Sequence, residues 1–249
     1  MKKELSEFLG TLILVLFGCG AAITTVYARE LSVAFVFGAI LIVLIIILGP
    51  ISGAHLNPAV TIAMIINKRI ELKDGLKYIL SQFLGAVVGT FVLILLYSMN
   101  NSASFNSALS TELGATYAHG GPWSFFGAFI IEFILTFIFI TVILVTTGKR
   151  GNGKAAPFII GLTLIICIMI GFNITGGSLN PARSFGPAVF VGDGALVQLP
   201  IFILGPSLAG VVSAILCKKV LKTEDDEEGS TQISDETITD SNYLEQDNN

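Results

Sequence analysis

Charge is what this 249-residue sequence has least of: Asp, Glu, Lys and Arg make up 13% of it, about half the share usual in a soluble domain. That shortfall excludes a chain whose surface mainly meets water. Cysteine is scarce as well. Cys19, Cys167 and Cys217 fall in separate apolar stretches without pair spacing, so neither a disulfide framework nor a thiolate metal site is expected. No nucleophile–base or metal-ligand spacing appears in the apolar stretches, and no enzyme, cofactor or nucleic-acid partner is expected. Bases are missing altogether from residues 98–122 and again from Glu224 onward. That last stretch carries ten of the 18 acids and is rich in Ser, Thr, Asp and Asn. It has too little apolar surface to fold and is predicted to be a disordered, solvated tail over 223–249. The formal net charge of -4 therefore hides a body in which 14 bases outnumber eight acids.

What the sequence has instead is apolar length. Apolar segments run over about 8–27, 31–49, 78–97, 124–147, 156–173 and 196–217, each about long enough to cross a bilayer as a helix. Stretches such as Ala39 to Leu48 offer no polar face, which argues against buried helices of a soluble protein. The first apolar run continues past Cys19, so no removed leader is expected. Lys2 and Lys3 precede the first segment, and Lys68, Arg69, Lys73 and Lys77 separate the second from the third. Lys149, Arg150 and Lys154 separate the fourth from the fifth, and Lys218, Lys219 and Lys222 follow the sixth. Twelve of the 14 bases thus fall on one side, which predicts a multi-pass protein of the cell membrane with both termini cytoplasmic. Arg29 falls in a short outer turn, and Arg183 needs a different explanation.

Two connections are unusual. Residues 50–66 and 174–191 are too apolar for ordinary loops, yet too short and too broken by Gly and Pro to span. Irregular backbone at membrane depth survives only where protein buries it or a watery cavity meets it, so both read as re-entrant. They also resemble each other: Ser52-Gly53-Ala54-His55-Leu56-Asn57-Pro58-Ala59 against Gly176-Gly177-Ser178-Leu179-Asn180-Pro181-Ala182-Arg183. Glu7 lies 50 residues before Asn57, and Glu132 lies 48 before Asn180. Three spans in each half make the repeat inverted, as in transport proteins whose binding region lies at the repeat interface. Asn is a strong N-cap and Pro suits the first helical position. Half-helices are therefore predicted over roughly 58–66 and 181–190, with their positive ends meeting near the membrane centre. The Asn57 and Asn180 amides can donate to one passing oxygen, and the facing dipoles repel cations.

With both Asn-Pro-Ala boxes, His55 before the first, and Asn-Pro-Ala-Arg-Ser-Phe-Gly-Pro at 180–187, residues 1–222 resemble the major intrinsic protein family, the aquaporins and glycerol facilitators. The resemblance implies an all-α membrane fold of six transmembrane helices and two re-entrant half-helices. Its inverted halves, about 1–100 and 123–222, are joined by an outer loop over 98–122. It implies a passive channel for water and small uncharged solutes that excludes protons and ions, in a lipid bilayer, as a homotetramer with one pore per subunit. Asn57, Pro58, Ala59, Asn180, Pro181 and Ala182 would form the pore centre. The carbonyls of Gly53, Ala54, His55 and Leu56, and of Gly176, Gly177, Ser178 and Leu179, would form an acceptor ladder. Glu7 and Glu132 would hold those loops by accepting backbone N–H groups; an intramembrane acid is a functional candidate by default. His55 either lines the inner mouth or is simply packed, and His119 is given no role.

The narrowest point of the family maps onto Phe37, Ile168, Gly177 and Arg183. Water-selective members usually carry His where Ile168 stands, so this filter is expected to be wider and greasier, closer to archaeal and bacterial aquaporins of intermediate selectivity. Phe37 and Ser184 lean to water, which is favoured as the main permeant. A glycerol facilitator, or a mainly structural membrane protein of the same fold, is the alternative. The cysteine that confers mercury sensitivity on many relatives is replaced by Gly177, so block by mercurials is expected to be weak unless Cys167 faces the pore.

Overall fold

A computed structural model describes residues 1–25, 27–99, 105–120, 124–149 and 151–223. The acidic tail expected over 223–249 lies, from residue 224 on, outside the described residues, as do Val26, Arg150 and parts of the 98–122 loop. The helices are α1 (Lys2–Thr24), α2 (Arg29–Ser52), α3 (Pro58–Ile66), α4 (Leu72–Ser98), α5 (Phe105–Leu109), α6 (Ser124–Thr146), α7 (Ala156–Thr175), α8 (Pro181–Val191) and α9 (Asp193–Leu216). Six of them are long and apolar enough to cross a membrane: α1, α2, α4, α6, α7 and α9 with the turn that extends it. The remaining helices are short, and α3 and α8 are the two half-helices. The span starts expected from hydropathy fall six residues inside the helices at α1 and α4, and the other span ends agree to within three residues. The first two turns of α1 and α4 carry Lys2, Lys3, Lys73 and Lys77, charges that hydropathy reads as loop but that a helix end carries at the membrane surface.

The outward faces are apolar, with Phe35, Ile47, Leu80, Phe126, Phe158, Ile170 and Leu204 all exposed. The buried faces use small residues to bring helices close. A Cβ on Gly38 of α2 would lie 2.6 Å from the Gly161 carbonyl of α7, and one on Gly161 would lie 2.7 Å from the Gly38 carbonyl. This reciprocal contact marks the crossing of the two halves, the small-residue packing that membranes favour. Gly85 and Gly89 of α4 do the same against the α1 backbone at Phe8 and Leu12. Arg29, outside the basic pattern, begins α2 and donates from Nε to the Ala22 carbonyl at 2.8 Å, capping the last turn of α1.

Candidate functional site: a cavity between two facing half-helices

Each re-entrant loop begins where a spanning helix is stopped. α2 ends at Gly53 (φ 88), whose N–H donates to Gly49, and α7 ends at Gly176 (φ 83), whose N–H donates to Phe172. Only glycine enters that left-handed region without a steric penalty. The chain then stays partly left-handed at Ala54 (φ 48), Leu56 (φ 50), Gly177 (φ 62) and Leu179 (φ 52). Non-glycine residues persist there only where the surroundings over-determine the conformation. Here the surroundings are two carboxylates.

Glu7 and Glu132 are fully buried. Glu7 Oε1 accepts from the Ser52 hydroxyl (2.6 Å) and from His55 N (3.0 Å), and Oε2 accepts from Leu56 N (2.7 Å) and Gln82 Nε2 (2.8 Å). Glu132 Oε1 accepts from the Thr175 hydroxyl (2.7 Å) and Ser178 N (2.9 Å), and Oε2 accepts from Leu179 N (2.9 Å). Each carboxylate therefore grips two successive backbone N–H groups and the last hydroxyl of the preceding helix. Charge-assisted bonds of this kind are roughly twice as strong as neutral ones.

Asn57 and Asn180 cap α3 and α8. Asn57 Oδ1 accepts from Ala59 N at 2.9 Å; Asn180 Oδ1 accepts from Ala182 N at 3.0 Å and Arg183 N at 3.3 Å. Pro58 and Pro181 take the first helical position, where a missing N–H costs nothing. The two caps also hold each other's loops. Asn57 Nδ2 donates to the Leu179 carbonyl and Asn180 Nδ2 to the Leu56 carbonyl, both at 2.8 Å. An amide has two N–H donors, so each Asn has one spent crosswise and one left. The head-to-head meeting expected from the repeat is thus a pair of reciprocal bonds.

These groups border a cavity of about 650 Å³. Its lining includes Gly53, Ala54, His55, Leu56 and Asn57 from the first loop, and Ser178, Leu179 and Asn180 from the second. Gly176 and Gly177, the other two carbonyls expected in the ladder, do not line it, and the Leu56 and Leu179 carbonyls share their lone pairs with the Asn amides. One end of the cavity carries Lys3, Arg69 and Asp74. At the other end stand Phe37, Ile168 and Arg183. Arg183 is 3% exposed, its Cζ lies 4.9 Å from the Phe37 ring centroid, and its Nη1 donates to the Gly114 carbonyl at 2.7 Å. Its Nε has no hydrogen-bond partner among the described residues. Gly177 faces Ile168, since a Cβ there would lie 3.1 Å from the Ile168 Cα. The four expected filter positions thus meet as two pairs, Arg183 over Phe37 and Gly177 against Ile168.

His55 both lines the cavity and is packed: Nδ1 is 3.2 Å from the Thr61 hydroxyl and the ring stands edge-on to Tyr78. His119 donates its backbone N–H to Ile174 and lies beside Tyr117. Cys167 points away from the cavity, with Sγ 3.7 Å from the Leu135 carbonyl. Among the residues the sequence did not single out are Ser52 and Thr175, each five positions before its Asn. Extending the second copy of the repeat one residue upstream sets Thr175 opposite Ser52. Gln82 was legible as a polar residue in an apolar span, whereas nothing in the sequence points to the Gly114 carbonyl.

Three comparisons with known proteins bear on the family and the fold. The family model for major intrinsic proteins matches residues 1–217. The chain is 42% identical over 229 residues to a protein of Lactiplantibacillus plantarum named glycerol uptake facilitator protein-like 6, covering 90% of this chain and all of that one. It is 34% identical over 220 residues to aquaporin Z of Rhodopseudomonas palustris, covering 86% and 91%. Among solved structures, the aquaglyceroporin from Plasmodium falciparum superposes with a TM-score of 0.74 at 27% identity, over 88% of this chain and 96% of that one. Carrying the inverted Asn-Pro-Ala boxes, the crossed asparagine locks and a family match along nearly all of its described length, the chain belongs to the major intrinsic protein family.

Proposed function

We propose that this chain is a passive channel for water and small uncharged solutes that turns protons and ions away. The observation that carries the reading is the pair of half-helix N-termini meeting on the wall of one cavity. Each Asn cap there keeps one N–H beyond its crosswise bond. A water taking both free N–H groups on its lone pairs turns its protons outward, which interrupts a proton wire. Two facing helix ends, each equivalent to about half a positive charge, add a barrier to cations, and the Arg183 guanidinium adds a full charge at the filter. Gly53, Ala54, His55 and Ser178 supply the acceptors that replace water's lost partners, and Glu7 and Glu132 hold them in place.

A second permeant has its own support. Ile168 and Gly177 leave the filter without the imidazole that narrows it in water-selective members, and one relative is named a glycerol uptake facilitator-like protein. Glycerol, or another small neutral polyol, therefore passes as well, more slowly than water. The deciding experiment is stopped-flow light scattering of proteoliposomes under an impermeant-solute gradient and then a glycerol gradient. Fast water flow with slow glycerol entry supports the reading, and glycerol entry matching water makes this a glycerol facilitator. Neither flow from folded protein overturns the open channel.

The conducting unit is residues 1–222, with both termini in the cytoplasm, where twelve of the 14 bases lie. A cysteine placed in the tail should react in intact cells only with membrane-permeant reagents. The subunits assemble as a homotetramer in the cell membrane, and a detergent-corrected mass other than fourfold contradicts this.

A further inference from the structure

The outer stretch 115–119 carries no base and closes over the start of the second re-entrant loop. Tyr117 N donates to the Thr175 carbonyl at 3.2 Å, His119 N to the Ile174 carbonyl at 3.1 Å, and Ala118 N to Gln198 Oε1 at 2.6 Å. Thr116, 3% exposed, sits in the middle of this strap, and a Cβ on Gly176 would lie 3.4 Å from its Cγ2. Its hydroxyl donates to Ser184 Oγ at 2.8 Å. Ser184 Oγ is 2.6 Å from Ser178 Oγ, which lies 3.2 Å from the Asn180 carbonyl. All three hydroxyl residues are buried.

Counting protons gives this chain a direction. Each hydroxyl has one proton to donate. A carbonyl only accepts, so the Ser178 proton goes to Asn180, and Ser178 Oγ accepts from Ser184. The Ser184 proton is then spent, and Ser184 Oγ accepts from Thr116. A single line of donation therefore runs from the outer strap to the cap of α8. The first half is built differently. Thr61, in the place of Ser184, donates to the Asn57 carbonyl at 3.0 Å and accepts from Gln82 Nε2 at 2.9 Å. That line ends inside the bundle on α4, whereas the second ends on an outer loop. The filter lies on that outer side only.

We propose that Thr116 is a positioning residue of the selectivity filter. Through Ser184 and Ser178 it fixes the strap that carries Gly114, two residues earlier. The Gly114 carbonyl is the only protein acceptor of the Arg183 side chain among the described residues. Where that carbonyl stands decides how far the guanidinium reaches toward Ile168 and Gly177, and so how wide a solute passes. The inference rests on the channel reading.

The test compares wild type, Thr116→Val and Thr116→Ser in proteoliposomes, with glycerol and water permeability measured on the same preparation. The ratio of the two is independent of how much protein folds. Thr116→Val keeps the shape and removes the hydroxyl, and the glycerol-to-water ratio is expected to rise about threefold or more, while Thr116→Ser keeps the wild-type ratio. Ser184→Ala breaks the line one link later and shifts the ratio in the same direction, which keeps the test available if the valine variant does not fold. The double variant Thr116→Val/Ser184→Ala should match the larger single effect, because one line can be broken only once. An unchanged ratio in Thr116→Val with normal water flow, a serine variant that behaves like valine, or additive effects overturns the proposal. Wild-type vesicles that pass neither solute overturn the channel reading instead.

Discussion

Glu7 and Glu132 show how a buried charge becomes a structural part. Each carboxylate is surrounded by donors, two of them successive backbone N–H groups. An amide in its place presents N–H to N–H at one of them. Glu132→Gln is therefore expected to orphan one buried backbone donor, at about 2 kcal/mol. The variant should melt earlier in detergent and pass less water per folded protein, and an unchanged melting temperature and flow would remove the scaffold role. The cysteines give a second residue-scale expectation. Cys19 and Cys217 are fully buried and Cys167 is 3% exposed with its sulfur turned toward α6. Mercurials should then leave water flow nearly unchanged; strong block abolished by Cys167→Ser would mean that this sulfur reaches the pore.

Among the elements, the glycines of α4 illustrate what sequence spacing leaves open. Gly85 and Gly89 lie four apart, a spacing that suits close packing either within the bundle or between subunits. Their missing Cβ atoms are filled by the backbone of α1 at Phe8 and Leu12, so the contact is internal. Backbone cannot step aside as a side chain can. Gly85→Ala and Gly89→Ala should each destabilise the folded channel by about 1–3 kcal/mol, seen as lower melting temperatures. If either alanine variant matches wild type, α1 and α4 are less tightly apposed than described. The same α1 carries Gly18, whose missing side chain makes room for the Phe37 ring, so the placement of Phe37 depends on a glycine in another helix.

At the scale of the molecule, the two halves are joined by reciprocal contacts: Gly38 against Gly161, and the crossed Asn57 and Asn180 amides. At the end of the cavity that holds Lys3 and Asp74, Arg69 adds a third tie, donating to the Thr147 hydroxyl at 2.8 Å and to the Leu144 carbonyl at 2.9 Å. Thr223, 5% exposed, accepts from Lys149 N at 3.1 Å. Truncation directly after Thr223 is accordingly expected to leave water flow per folded protein unchanged, measured by the same light-scattering assay. A truncated channel that conducts several times more or less than the full chain would give the acidic stretch a role beyond solvation.

Much of this was written in local sequence. Apolar runs of membrane length, the asymmetry of Lys and Arg, and the doubled Asn-Pro-Ala boxes with their matching Glu residues are short-range patterns. Each maps directly onto a solvent, a side or a helix cap. They determined the membrane setting, the count of spans, the inversion of the repeat and the bounds of both half-helices to within a residue. Helix ends were less legible, because surface lysines look the same in a loop and in a first turn. Tertiary structure alone decided the rest: that one donor of each asparagine is spent on the opposite loop, that Gly85 and Gly89 face α1, and that Cys167 turns from the cavity. It also decided that a loop carbonyl at Gly114 holds Arg183. These depend on which backbone approaches which across more than a hundred residues of chain or between helix faces, and such proximity leaves no mark in the composition or spacing of either partner.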